Sequence, residues 1–330
     1  MRIVVDGFGG DFAPEEILFG CLTALEEKQD LELIVTGDED AFRKIIEDAG
    51  KTVPNRMSFV ATTEIVQNED DPISAIKRKK DSSLVVGLQL VSEKKGDAFV
   101  SAGNTGAVLT GATLIIKRIR GIKRAALCPT IPTKKGKAVI VDVGANAECK
   151  PEFYPQFAMM GSVYAKELLG IKNPKAGLIN IGVEHHKGTS TVVEAYHLLQ
   201  KEPNIRFVGN IEARDVLNGD AEVLVSDGWT GNITLKTLEG TAQTLFYFLK
   251  DVFYKSFSTK LAAAILKPGL TRVKKMMDAK EVGGAPLLGL NAPVVKAHGN
   301  SDRVAYKNAI LFAATLAEKD VCEKIRKHLS

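Results

Sequence analysis

This 330-residue sequence is short of cysteine, of aromatic residues and of net charge, and each shortage excludes something. The four cysteines, Cys21, Cys128, Cys149 and Cys322, are scattered, with no C-x-x-C pair and no spacing suited to a metal. A disulfide framework is therefore out, and buried thiols in a reducing compartment are expected. Aromatics make up 6% of the chain, too few for a base-stacking surface, and a net charge of +4 gives no general attraction to nucleic acid. No apolar run approaches the ~18 residues that cross a bilayer. No signal peptide precedes the first apolar stretch, Ile3-Val4-Val5, so a cytoplasmic protein is expected, with peripheral contact to a membrane surface left open.

Common catalytic signatures are missing too. There is no G-x-S-x-G elbow, no G-x-x-x-x-G-K-[ST] loop and no H-E-x-x-H pair, which argues against an α/β-hydrolase, a P-loop NTPase and a zinc peptidase. The first glycine cluster, Asp6-Gly7-Phe8-Gly9-Gly10-Asp11, fails the dinucleotide fingerprint because Phe12 stands where its third glycine belongs. His185 and His186 are adjacent and poorly placed to share one metal. Cys149 has Glu148 and Lys150 beside it and no evident imidazole base, the partner a thiol nucleophile needs.

What is present is an ordinary globular composition, 45% hydrophobic and 25% charged, enough for a sizeable core. Short apolar runs alternate with amphipathic stretches. Strands are expected at residues 3–6, 32–36, 57–61, 98–101, 138–141, 176–180, 205–208, 222–225 and 293–296. Helices are expected between them, among them 38–49 with Asp38 as N-cap, 108–116, 232–250 and 301–327. The alternation predicts a three-layer α/β/α fold on a mainly parallel sheet, with ligands beyond the carboxyl ends of the strands. No Pro-, Gly- or Ser-rich linker cuts the chain, so residues 1–330 are expected to form a single α/β catalytic unit, undivided or as two lobes around a central cleft.

Seven polar stretches lie at or just after those strand ends: residues 6–11, 101–107, 142–146, 180–188, 209–214, 226–232 and 297–301. Each combines glycine with Asn, Asp or Lys. Glycine lets backbone approach a ligand, and a helix N-terminus carries about +0.5 of a charge. A strand feeding a helix through Ser101-Ala102-Gly103-Asn104-Thr105-Gly106-Ala107 therefore suits an anion such as phosphate. With amide donors in plenty and no evident protein nucleophile, bound phosphate is itself the expected nucleophile, and positioning plus an oxyanion site supply the catalysis.

In this order the motifs resemble the bacterial phosphate acyltransferases of the PlsX family. The resemblance rests on Asp6…Gly9-Gly10-Asp11…Pro14, the 101–107 stretch, Asp142-Val143-Gly144-Ala145-Asn146, Gly209-Asn210-Ile211-Glu212, Asp227-Gly228-Trp229-Thr230-Gly231-Asn232 and Ala297-His298-Gly299. It covers essentially the whole chain. Gly7-Phe8, Trp229 and Thr189 depart from the Ala-Met, Phe and Asn usual in the family. The resemblance implies transfer of a fatty acyl group from acyl carrier protein to inorganic phosphate. The acyl phosphate formed would feed a membrane glycerol-3-phosphate acyltransferase at the start of phospholipid synthesis. It also implies a homodimer, no nucleotide, metal or other cofactor, and a fold similar to isocitrate and isopropylmalate dehydrogenases and to phosphotransacetylase. The alternative is a phosphotransacetylase-like enzyme acting on a short acyl-CoA; a fatty chain needs an apolar trough, a short one does not.

On this reading Ser101, Gly103, Asn104, Thr105 and Gly106 hold phosphate, and Asp6, Gly9, Gly10, Asn180 and Glu184 line the substrate site. Lys187 offsets the charge of phosphate and then of the tetrahedral oxyanion. Asn232 and Asn146 donate to the thioester carbonyl, Asp227 and Asp142 orient them, and His298 is the proton source for the leaving thiolate. Basic clusters at 77–80, 117–124 and 134–137 offer docking to an acidic carrier. Residues 250–280 carry eight Lys/Arg against two Asp, a net of +6. Phe253, Phe257, Leu261 and Ile265 recur at i, i+4 there, and a second helix is expected beyond Pro268-Gly269 with Leu270, Val273, Met276 and Met277 on one face. Such a basic amphipathic excursion suits an anionic bilayer surface, a dimer partner or the carrier protein. Its expected contact residues are Phe257, Leu261, Ile265, Lys267, Leu270, Arg272, Lys274 and Lys275.

Overall fold

The computed structural model describes residues 1–277 and 281–329. Four apolar strands, β1 (Arg2–Asp6), β2 (Glu32–Gly37), β3 (Met57–Ala61) and β4 (Ala98–Ser101), lie parallel in the order β3-β2-β1-β4. Helices α1 (Glu15–Glu27), α2 (Glu39–Asp48), α3 (Pro72–Arg78) and α4 (Ser83–Ser92) connect them. Consecutive residues such as Ile3, Val4 and Val5 are all fully buried, as expected for strands covered on both faces. The chain steps outward from β1 to β3, then crosses back to set β4 on the other flank of β1. Strand order reverses between β1 and β4, and a reversal opens a crevice beyond the carboxyl ends.

The predicted mainly parallel arrangement is present, divided between two sheets. The first gains β12 (Val294–Lys296), parallel to β4, and the antiparallel strands β11 (Ala285–Leu288) and β5 (Ala126–Leu127), making seven. The second has five strands in the order β6-β7-β10-β8-β9: Thr130–Thr133, Gly136–Val141, Val223–Val225, Lys175–Asn180 and Arg206–Glu212. Only its edge strand β6 is antiparallel; it is not among the expected strands, and its Pro132 is of the kind tolerated at a sheet edge. Helices α6 (Tyr154–Leu169) and α7 (Ser190–Lys201) flank this sheet. One apolar cluster runs through both sheets, joining Val5 and Val100 to Val139, Val223 and the α6 residues Phe157 and Tyr164.

Local chemistry sets the helix starts. Asp38 accepts from the Ala41 N–H at 3.0 Å, as expected, and Asp71 and Ser82 cap α3 and α4 in the same way. Asn104 caps α5 (Thr105–Gly111), Thr189 caps α7, Asp227 caps α8 (Gly228–Tyr254) and Asp302 caps α10 (Arg303–Glu318).

Four expected elements differ. The helix predicted at 108–116 begins earlier, as α5, and continues as a π turn over Ala112–Ile116. Strand β9 runs on through Gly209 and Asn210 to Glu212, so the fifth polar stretch is mostly strand. Its register against β8 shifts between Ala176 and Leu178, a bulge accommodated by Gly209 at φ 96°. The helix predicted at 301–327 is two, α10 and α11 (Val321–Lys327), parted at Asp320 with φ 50°. Finally, α8 extends to Tyr254, the chain turns at Lys255-Ser256, and α9 (Phe257–Met277) returns straight through Pro268. A proline removes one helical N–H; here the neighbouring turn is exposed, so water can satisfy the freed carbonyl. Phe253 and Phe257 thus sit on different helices. No residue of α9 is buried, and Phe257 is 85% exposed. Asp278 and Lys280, counted in the basic excursion, lie outside the described residues. No described helix is long and apolar enough to cross a membrane.

Burial separates the two apolar populations experimentally. Phe99, at 0% exposure in β4, is expected to cost about 3–5 kcal/mol when changed to Ala. Phe257→Ala, on the open face of α9, is expected to stay within about 0.5 kcal/mol by the same urea titration.

Candidate active site

The crevice between β1 and β4 is closed at its base by a buried carboxylate. Asp6 accepts from Ser83 Oγ at 2.6 Å, from Ser101 Oγ at 2.7 Å and from the Phe8 N–H at 3.3 Å. Burial raises its pKa; the hydrogen bonds and the charge of Lys296 oppose that shift. Ser101 Oγ in turn accepts from the Gly103 N–H at 3.0 Å, which curls the phosphate-loop candidate back over β4. A Cβ on Gly9 would stand 2.6 Å from Asp6 Oδ2 and 2.8 Å from the Gly103 nitrogen, so only glycine lets the first loop close on the second. Gly10 has φ 126°, the Asp11 N–H donates to Gly299 O at 2.8 Å, and the Tyr306 hydroxyl donates to Gly9 O. The first, second and last polar loops therefore form one body.

Within it, Asn104 is committed to the protein. Its Oδ1 accepts from the Ala107 N–H at 3.0 Å and its Nδ2 donates to Asn68 O at 2.8 Å. It shapes the loop, while Thr105 and Gly106 occupy the first turn, where helical N–H groups lack intrahelical partners. Gly106 is held to glycine by Pro72, whose Cγ would be 2.6 Å from a Cβ.

A second cluster forms where β7 and β10 end. Asp142 is fully buried and accepts from the N–H groups of Leu127, Val143, Ala145 and Asn146 at 2.8, 2.8, 3.2 and 2.6 Å. Desolvation nonetheless lifts its pKa to about 6. Asn146 Nδ2 donates to Asp142 Oδ2 at 3.0 Å and to Ala125 O at 2.8 Å, so both amide hydrogens are used internally. Asp227 accepts from the Thr230 N–H at 2.6 Å and from the Tyr154 hydroxyl at 3.3 Å. Gly231 is pressed against the Asp142 carbonyl, which a Cβ would overlap. Asn232, one turn into α8, is exposed, faces Gly144, and its side chain makes no hydrogen bond among the described residues. Cys149, near this cluster, is pushed up to about 12 by burial and by Asp142 and Asp227, which keeps its thiol protonated.

The third cluster follows β8, the neighbour of β10. Asn180 Nδ2 donates to Lys187 O at 3.0 Å and its Oδ1 accepts from the Ile181 N–H at 2.8 Å, closing the 181–188 loop. Asn210 Nδ2 donates to Glu184 O at 2.8 Å, so the polar residues of β9 brace this loop. Glu184 and Lys187 flank Gly182, both exposed, and Lys187 has no ion pair among the described residues. His185 and His186 stack edge-on at 5.3 Å, and no metal-binding group of His, Cys, Asp or Glu exists among the described residues.

Three site residues escaped the sequence. Ser83 and Tyr306 reach Asp6 and Gly9 from 77 and 297 residues away, which no local pattern signals. Lys296 was legible: it is a lone charge closing the apolar strand Val294-Val295-Lys296, and it is buried beneath the crevice. Beside the last loop opens a groove of about 1280 Å³. Asp11, His298 and Asn300 stand at one part of it, and the α8–α9 hairpin lines the rest with Phe246, Phe253, Leu270 and Met277 set among charged residues that include Lys250, Lys260 and Lys267.

The fold is that of the phosphotransacylases. A phosphotransacetylase from Streptococcus pyogenes aligns with a TM-score of 0.65 at 19% identity, over 97% of this chain and 94% of its own. A branched-chain phosphotransacylase from Enterococcus faecalis V583 gives 0.60 at 15% identity, over 96% and 99%. Residues 1–324 match the family described as fatty acid synthesis protein. The phosphate acyltransferases of Clostridium tetani and Brevibacillus brevis are each 47% identical to this chain, over 100% of it and over 98% and 97% of their own lengths. The chain belongs to this family, the PlsX-type phosphate acyltransferases, and is an acyl-transferring enzyme.

The raised Asp142 pKa has a signed consequence. The folded state holds this proton up to about pH 6, whereas the unfolded chain releases it near 3.8. Between those values folding takes up a proton, so this group's contribution to stability grows as pH falls. The stability of the native enzyme relative to Asp142→Asn is expected to be greater at pH 4.5 than at pH 7, read from about two parallel denaturant titrations per protein.

Proposed function

We propose that the enzyme moves a fatty acyl group from acyl carrier protein to inorganic phosphate, giving an acyl phosphate for phospholipid synthesis. The observation that carries this reading is the groove of about 1280 Å³ that runs from His298 and Asn300 along the α8–α9 hairpin, where Phe246, Phe253, Leu270 and Met277 alternate with lysines such as Lys250 and Lys267. Its size exceeds the ~300–1,000 Å³ of ordinary small-ligand pockets and suits a long chain better than the short acyl group of a phosphotransacetylase.

In this reading the catalytic unit is the whole chain, its two sheets acting as lobes around the cleft. Phosphate sits against the first-turn N–H groups of Thr105 and Gly106, with Ser101, Gly103 and Asn104 setting the loop's shape through their internal hydrogen bonds. One phosphate oxygen attacks the thioester carbon, the C–O bond forms, and the carbonyl electrons move to oxygen. Lys187 and the uncommitted carboxamide of Asn232 stabilise that oxyanion. Collapse breaks the C–S bond, and His298 supplies the proton taken by the thiolate. Asn146, with both amide hydrogens spent, orients the β7–β10 loops instead of donating to substrate. No step requires a cofactor.

The basic clusters at 77–80, 117–124 and 134–137 supply a surface for the acidic carrier. The exposed apolar residues Phe257, Leu261 and Ile265, alongside Lys267, Arg272, Lys274 and Lys275, fit an anionic bilayer surface, which would hold the cytoplasmic enzyme near a membrane glycerol-3-phosphate acyltransferase. The remaining hairpin surface is assigned to a second copy in a homodimer.

Incubation with an acyl carrier protein thioester and phosphate is expected to yield acyl phosphate, trapped as the hydroxamate, and Lys187→Ala should lower kcat by about 10²-fold. Hydroxamate from acetyl-CoA alone would favour the short-chain alternative, and normal turnover of the Lys187 variant would remove that residue's role. In flotation, the enzyme should rise with anionic liposomes and stay down with zwitterionic ones, and Ile265→Glu should abolish the difference. Binding indifferent to lipid charge would instead give this face to the second copy.

A further inference from the structure

We infer that Lys296 is a positioning residue for the phosphate site: from beneath the crevice its ammonium ties the Ser101–Ala107 loop to the last loop and keeps positive charge under the bound anion. The inference rests on the reading of phosphate as acyl acceptor. Lys296 closes β12 in direct register with Ser101 of β4. Its Nζ donates to Ala102 O at 3.2 Å and to Ala297 O, one carbonyl from each loop. In a trans peptide the N–H opposes the C=O, so the following N–H groups are turned away from the lysine, and that of Gly103 goes to Ser101 Oγ. An ammonium has three N–H donors. The third finds no partner among the described residues, and the aliphatic stem borders a small apolar cavity of about 10 Å³ shared with Val108, Leu109, Leu127 and Leu287.

The charges facing this ammonium come from three elements. They are Asp6 on β1, Asp11 in the turn after it, and Lys236 on α8, with the Tyr306 phenol of α10 bonded to Gly9 O close by. None of the carboxylates pairs with it directly: Asp6 is taken by Ser83 and Ser101. Burying an ammonium on neutral carbonyls costs free energy that a methionine of similar length would not incur. Its position at the join of the two loops gives the charge a use in binding. Burial brings its pKa down to about 8, so that charge is lost as pH rises through this value.

The test uses the full-length enzyme, an acyl carrier protein thioester and inorganic phosphate, with Lys296→Met and Lys296→Arg. The Met variant should raise the KM for phosphate about tenfold or more and leave the donor KM within about twofold. Native kcat/KM for phosphate should fall above about pH 8, and that limb should vanish in the Met variant. Arginine stays charged across this range and should restore tight phosphate binding while moving the limb beyond about pH 10. If the Met variant fails to fold, the displaced limb of the Arg variant carries the result alone. A Met variant with a lower Tm but native phosphate KM and native pH profile would make Lys296 structural only. A native enzyme that forms no acyl phosphate would instead take away the reading on which this inference rests.

Discussion

The Ser101–Asp6 hydrogen bond, 2.7 Å long and fully buried, is the constraint on which the rest of the crevice depends. It joins the ends of β1 and β4, where strand order reverses among the parallel strands of the first sheet. A buried carboxylate is tolerated only when its oxygens are satisfied. Ser83, Ser101 and the Phe8 N–H meet that need, and in doing so they fix three segments distant in sequence. Gly9 then closes over the pair because a side chain there would strike Asp6. The first and second loops cannot relax apart without exposing or orphaning this carboxylate.

The second sheet repeats the device with Asp142, which gathers four backbone N–H groups and the Asn146 amide around one buried charge. In both sheets the deepest acid is scaffolding, and the groups left open to a ligand sit one layer further out: Thr105 and Gly106 on one side, Asn232 and Lys187 on the other. Many polar residues at the strand ends are helix caps, as Asn104, Thr189, Asp227 and Asp302 show. The richness of these loops in Asn and Asp therefore reflects in part the need to start a helix after a strand.

The α8–α9 hairpin stands apart from this economy. Its residues Phe257, Leu261 and Ile265 remain 85, 59 and 74% exposed, although Phe99 of β4, Leu33 of β2 and Ile3 of β1 are buried. A hairpin of this kind gains little from the chain's own core, and none of the residues of α9 is buried. That Pro268 interrupts neither the helix nor the groove follows from its exposure: an unpaired carbonyl there meets water, not a packed neighbour.

The alternation of apolar runs and polar strand-end stretches was enough to give a parallel α/β fold, the Asp38 cap and the set of loops that carry the family likeness, because period and capping are local properties of the chain. Local pattern failed where the deciding partner is remote. Residues 209–212 read as a loop yet extend β9, since β8 supplies the hydrogen bonds and Gly209 absorbs the bulge. Asn146 read as a free carboxamide yet spends its hydrogens on Asp142 and Ala125. Lys296 read as the end of a strand yet lies buried, bonded to the carbonyls of Ala102 and Ala297 in two polar loops. What the sequence determined alone was which residues sit at strand ends. Which of them are consumed in holding the loops and which remain for a ligand was decided only by tertiary structure, because a hydrogen-bond donor is free or spent according to what folds against it.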